Sequence, residues 1–336
     1  MNFTERSPIE DGFATVFHAD IKPKLQELEF DRQAVARKTL IQCAIAVAAI
    51  VLIGLLLLWS FGDEEGPLIP VLIGVGGGYF AFHWIRSRAN SRWRAQVKDI
   101  AIPTICAHLG ELTHSEKGEN FSVDTMVEMK LLPDTDYKHR NNLLRGSHNG
   151  TRFSMVHARF ANQDGNGRSN PVTDPRLFKG LLFKVDLPTP APGRIALIRD
   201  RGALGNKLAE KLSFGGARSM PKVAVSQVDL EEGFEVYAEN PEKAQAYLSD
   251  NLVNVLLRIG YENGQGMGAK SFTAGFDNDT FYLALRRDST FSKVGDLNTP
   301  VGEVEDDLHN VFDTIALVYH VIDRLNLAFA APDAAS

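Results

Sequence analysis

The sequence predicts an α+β protein: an N-terminal transmembrane helical hairpin with a helical stalk, then a mixed α+β cytoplasmic domain ending in a long amphipathic helix. Three observations predict it. Residues 39–61 and 67–85 are apolar runs without Asp, Glu, Lys or Arg. Beyond residue 150, short stretches rich in β-branched and aromatic residues lie between Gly, Asn, Asp and Pro. From Val304 to Phe329, apolar residues recur in alternating steps of four and three.

A helix rises about 1.5 Å per residue, so each apolar run can cross about 30 Å of hydrocarbon. Gly62-Asp63-Glu64-Glu65-Gly66 between them is long enough only for a turn. Lys22, Lys24, Arg32, Arg37 and Lys38 precede the first run, and Arg86, Arg88, Arg92, Arg94 and Lys98 follow the second. Lys and Arg are retained on the cytoplasmic side, which places both termini and the soluble domain there and the acidic turn outside. Trp59 and Phe61 at the outer end, and Tyr79, Phe82 and Trp84 at the inner end, suit the two interfaces. A long polar segment precedes the first run, unlike a secretory signal peptide.

Gly74, Gly76, Gly77 and Gly78 stand together in the second run. Glycine costs a helix about 1 kcal/mol relative to alanine, and small residues in a membrane helix let another backbone approach closely. That backbone belongs either to the first run or to a neighbouring subunit. His83, beside Trp84 and Arg86, reads as reaching the interface.

The parts are residues 1–38 as an amphipathic N-terminal helix and stalk, 39–85 as the hairpin, 86–110 as a membrane-proximal helix, 111–329 as the α+β domain and 330–336 as a tail. On the stalk, Phe17, Ile21, Leu25 and Leu28 form an apolar stripe. It packs on its own domain, lies on lipid or pairs with a neighbour, and the first is favoured. Pro23 starts or kinks that helix, and a break or kink is expected near Pro103. Strands are expected at 153–160, 181–187, 194–198, 223–228, 234–237 and 280–285, and helices at 207–212, 241–259 and 303–329. His148-Asn149-Gly150-Thr151 and Phe276-Asp277-Asn278-Asp279 read as tight turns. Asn240 caps a helix that opens on Pro241 and Glu242. In the last helix Leu308, Val311, Ile315, Val318 and Ile322 lie on one seam. Phe312 and Tyr319 widen it, which favours packing within the domain over pairing between subunits.

Little in the chain carries chemistry. The net charge is −6, which argues against nucleic acid as a partner, and the positive charge sits beside the membrane, where it meets lipid headgroups. Two cysteines, Cys43 and Cys106, make no disulfide framework. No catalytic motif, cofactor motif or metal set is read. Gly202 to Lys207 follows a strand and opens a helix, so Gly202, Gly205 and Lys207, with Arg199, Arg201 and Arg218 nearby, form a candidate anion site. Gly264 to Lys270 has the reverse order of a phosphate loop and reads as a connection. His309 and His320 share a helix face with Asp306, Asp313 and Asp323 nearby, and read as a solvated face.

Several stretches resemble a bacterial family known only as domain of unknown function 3137. They are Ile21 to Leu25, Leu144 to Gly146 leading to Phe153, Gly180 to Phe183, Pro241 to Tyr247, Phe281 to Ala284 and Asp323 to Leu327. The resemblance covers about residues 15–329, with Asn162 to Pro175 departing from it. It implies two N-terminal spans, one α+β domain and a LemA-type membrane protein as partner, and supplies no catalytic residue.

The expectation is a non-enzymatic inner-membrane scaffold that self-associates, as a homo-oligomer in contact with membrane lipids. The alternatives are a membrane-anchored ligand- or nucleotide-sensing module, or an enzyme, using the anion site, and an oligomeric channel.

Overall fold

The computed structural model describes residues 2–61, 71–161, 178–199, 220–223, 234–263, 272–287 and 294–330. The chain divides into two compact units. One comprises residues 1–108 and 293–312, the other residues 109–292 and 313–336.

The first unit is helical. A short turn at Pro8–Glu10 leads to α1 (Phe13–Val16), a π-helical stretch (Phe17–Ile21) and α2 (Lys22–Phe61). The π stretch lies just before Pro23, and proline explains it. Its ring has no N–H to give to Ala19 and would crowd that carbonyl. The preceding turn widens, and the Lys22 N–H reaches back to Phe17 O. A second π stretch, Leu72–Gly76, opens on α3 (Gly77–His108). This helix continues through Pro103 rather than stopping there. Phe17, Ile21 and Leu25 are buried, as are Trp93, Val97, Ile102 and Ile105 of α3, so the stalk stripe is covered within the chain.

The second unit is built on one antiparallel sheet of eight strands, in the order β1-β2-β3-β4-β8-β7-β5-β6. In chain order these are β1 (Thr113–Lys117), β2 (Tyr137–His148), β3 (Thr151–Ala161), β4 (Phe178–Asp186), β5 (Ile195–Arg199), β6 (Phe234–Ala238), β7 (Phe272–Asp277) and β8 (Thr280–Arg286). Between β1 and β2 lies α4 (Asp124–Glu128). Met126 of α4, with Phe121, Met129 and Leu131 beside it, packs into one face of the sheet against Val156, Leu182 and Ala284. The opposite face carries α5 (Pro241–Tyr247), α6 (Asp250–Asn263) and the later turns of α7 (Glu305–Ala330). There Tyr247 meets Phe276 at 5.6 Å and Tyr319 meets Phe153 at 6.0 Å between ring centroids.

Both expected turns are two-residue hairpins, with φ of 49° at Asn149, 78° at Gly150 and 50° at Asn278. The Asn240 side chain accepts the Lys243 N–H at 3.1 Å, so the cap holds. The helix it opens is shorter than expected. Leu248 leaves the helical region (ψ 65°), and Ser249 Oγ caps α6 by accepting the Leu252 N–H. β1, β2 and α4 have no range in the sequence reading, and β7 enters it only as the strand that Gly264 to Lys270 leads into. β1 is a polar edge strand, and β2 carries a bulge between Asn141 and Leu144, with Asn142 at φ 52°. The bulge moves apolar residues out of the alternation that marks a strand. The expected strand at 223–228 lies mostly outside the described residues, as do the helix at 207–212 and the loop at 162–175.

Candidate functional site

The apolar hairpin is the feature that the fold sets apart. Helices α2 and α3 run antiparallel, and their contacts fix the register. The Cys43 thiol lies 3.8 Å from Phe82 O. A Cβ added at Gly78 would meet Val47 at 3.6 Å, one at Gly77 would meet Ile50 at 3.1 Å, and one at Gly74 would lie 3.7 Å from the Gly54 Cα. Three of the four glycines therefore face α2. Gly76 faces open space. Gly54, the small residue opposite Gly74, was not singled out by the sequence, because it stands alone in its run.

The rest of the hairpin surface is apolar and bare. Among the described residues, every exposed large apolar side chain but Leu327 lies between Phe30 and Trp84. Trp59 is 87% exposed. One described helix, Phe13–Ser60, is long and apolar enough to cross a membrane, and only 11% of its most apolar stretch is buried. The connection at 62–70, including the acidic turn and the start of the second run, lies outside the described residues.

The base of the hairpin is clamped by residues 294–304. Glu29 of α2 accepts two hydrogen bonds from Arg32, at 2.9 and 2.8 Å, and one from the Val301 N–H at 2.9 Å. Arg32 also donates to Leu297 O at 2.9 Å. From α3, Arg94 donates to Gly295 O and to Asp296, both at 2.9 Å, and Asn90 joins Asp296 and the Leu297 N–H. Gly295, at φ 77°, sits against Val97. Asp307 accepts the Gly295 N–H, and burial pushes its carboxyl above the usual range.

The Arg32 hydrogen bonds hold the Glu29 carboxyl at about 2, well below its ordinary value. A depressed carboxyl stabilises the folded state fully above its ordinary titration range and loses that contribution as the pH falls toward 2. Glu29→Gln should thus lower the melting temperature of the detergent-solubilised chain at pH 6, and the gap to wild type should narrow at pH 3. Curves that stay parallel over that range would exclude the role assigned to Glu29.

The other expected site residues are spread through the fold. Leu308, Val311, Ile315, Val318 and Ile322 are all fully buried, so the seam is used inside the chain. His309 and His320 part company. His320 is exposed, whereas His309 is buried and lies 2.7 Å from Glu10. Phe3 stacks on its ring at 4.6 Å. His83 is exposed and rests against Tyr79 at 4.3 Å. Gly202, Gly205, Lys207 and Arg218 lie outside the described residues, with Arg201 and Gly264 to Lys270. Among the described residues, no three His, Cys, Asp or Glu side chains form a metal-holding group.

One cluster was missed. At the end of β2, His148 stacks on Tyr319 at 4.0 Å and its Nε2 lies 2.9 Å from Asp323. The Asn149 side chain donates to the same Asp323 oxygen at 2.9 Å. Beside it an open cleft of about 460 Å³ is lined by Asn149, Thr151, Asp186, Thr189, Asn326 and Phe329. The pair is 175 residues apart in sequence. Its only local signal was the Asn-Gly turn that places His148 at the strand end. The aspartate orients and polarises the imidazole.

Among solved structures, the crystal structure of the mycobacterial trehalose monomycolate transport factor A, TtfA, is similar to this chain at 8% identity. The similarity covers 61% of this chain and 88% of that one, with a TM-score of 0.27, too low to carry any argument. No curated protein matches. Residues 176–327 match the model of a family described as "Protein of unknown function (DUF3137)". The matched range contains Gly180 to Phe183, Pro241 to Tyr247, Phe281 to Ala284 and Asp323 to Leu327, four of the stretches that carried the resemblance, so the similarity to the DUF3137 family holds over residues 176–327.

Proposed function

We propose that this chain is a two-span protein of the bacterial inner membrane and serves as an assembly scaffold, its hairpin the anchor and its sheet unit displayed in the cytoplasm. One observation carries the reading: the antiparallel hairpin presents large apolar side chains outward along both helices. In water this surface would be costly, at about 25 cal/mol per Å² of apolar area, whereas in hydrocarbon it needs no further cover. The cations at its open end and the acidic turn between the runs supply the orientation. With the α7 seam buried, self-association falls to the outward face of the hairpin, where Gly76 is free.

Alkaline carbonate should fail to extract the chain from bacterial membranes. In a Glu64→Cys variant, a membrane-impermeant maleimide should label whole cells at the turn, since Cys43 and Cys106 are buried. Extraction by carbonate, or labelling only after lysis, would refute the topology. Particle mass in mild detergent tests the scaffold: a discrete oligomer supports it and a strict monomer refutes it.

A further inference from the structure

The cations at the base of the hairpin fall into two sets. Arg32 and Arg94 are turned to the clamp at 294–304. Arg37, Lys38, Arg86, Arg88 and Arg92 are exposed. No Asp or Glu occurs at 32–61 or 71–98, and no ion pair among the described residues engages any of these five.

The helix register gathers them. Cys43 lies against Phe82 and Val47 against Gly78. Continued one turn further, that antiparallel register sets Arg37 and Lys38 level with Arg86 and Arg88. The side chains of a helix lean toward its N-terminus, and the contacts agree. The Arg86 guanidinium lies 5.8 Å from the Phe82 ring and that of Arg88 lies 5.7 Å from the Trp84 ring. Both are thus held at the edge of the apolar surface, where exposed Phe80 and Trp84 begin.

We infer that this collar binds the phosphates of anionic phospholipids, an inference that rests on the membrane reading above. Four of the five cations are arginines, whose planar fork grips phosphate oxygens in pairs, as an ammonium does not. A solvated face would be served equally by lysine. The apolar surface that starts at the same level selects the source. A phosphate tied to acyl chains satisfies both the charges and the rings, whereas free phosphate satisfies only the charges.

The test uses the full chain in nanodiscs of phosphatidylcholine containing a minority of phosphatidylglycerol. After stepwise delipidation in mild detergent, native mass spectrometry counts the retained lipids. Retained phosphatidylglycerol should exceed its bulk share about fivefold or more, from the attraction of each cation to an anionic surface. Arg86→Gln with Arg88→Gln should lower the ratio at least twofold, and millimolar inorganic phosphate should leave the wild-type ratio unchanged. No enrichment, or the same enrichment in the variant, overturns the inference. Loss of enrichment to inorganic phosphate overturns the lipid assignment in favour of a general anion site. Release by carbonate overturns the membrane reading and this inference together, whereas a carbonate-resistant chain without enrichment overturns this inference alone.

Discussion

Replacing His309 with leucine should loosen the N-terminal segment by about 3 kcal/mol, the upper end of the usual cost of leaving a buried polar group without its partner. Glu10 is 1% exposed, and its carboxylate has two partners: the His309 ring at 2.7 Å and the Arg6 N–H at 2.6 Å. The leucine leaves the carboxylate with one donor and no route to water. Amide hydrogen exchange of residues 3–17 should then accelerate about 100-fold, since local opening reports that free energy directly. Adding Glu10→Leu to the His309 variant should recover most of the loss, because replacing both partners of a buried hydrogen bond by apolar groups can be nearly neutral. If the double variant exchanges as fast as the single, burial of an unpartnered carboxyl group is not the cause. Glu305, 3.7 Å from His309 Nε2, should contribute less, since it is partly exposed.

Gly180→Ala should be the most damaging single-methyl change in the sheet. Gly180 lies in β4, paired with Ala158 of β3 and Arg286 of β8. A Cβ there would fall 2.0 Å from Leu285 O and 3.0 Å from the Arg286 Cα, both backbone atoms. A side chain could rotate away, but a strand paired on both sides cannot. Overpacking usually costs about 1–3 kcal/mol, and this contact belongs at the upper end. The melting temperature should fall by about 10 °C. Gly302→Ala is the control, because nothing lies within 4 Å of its added methyl. Equal melting temperatures for the two variants would refute the packing argument.

What the sequence made legible was periodic. The apolar runs, the α7 seam, the Asn240 cap and the Asn-Gly turn are all signals confined to a few adjacent residues. Their partners follow from local geometry. The site features that escaped are pairings across the chain. Glu10 meets His309 across 299 residues, and His148 meets Asp323 across 175. Nothing near any of the four announces its partner. His309 was noticed on its helix, but its neighbours there, Asp306 and Asp313, were the natural candidates. The actual partner comes from the first turn of the chain. β1 and β2 escaped for another reason. An edge strand needs no apolar face, and a bulge breaks the alternation on which strand reading rests. The clamp at 294–304 was equally silent, since apart from the Asp296 side chain it is made of backbone carbonyls and N–H groups met by Arg32, Arg94, Asn90 and Glu29.

Helix α7 gives its residues up to Phe312 to one unit and the rest to the other. Its opening turns are roofed by Phe3 and Phe13, which lie 6.2 and 4.7 Å from Phe312. Its closing turns hold His148 and Phe153 through Tyr319. Each unit is consequently built from two separate stretches of the chain. A chain shortened to begin at Leu109 would keep the sheet but bare Phe312 and His309, and a chain ending before Glu305 would lose the roof from both sides. A substitution within α7 therefore enters both units at once, and its effect has to be read in each of them.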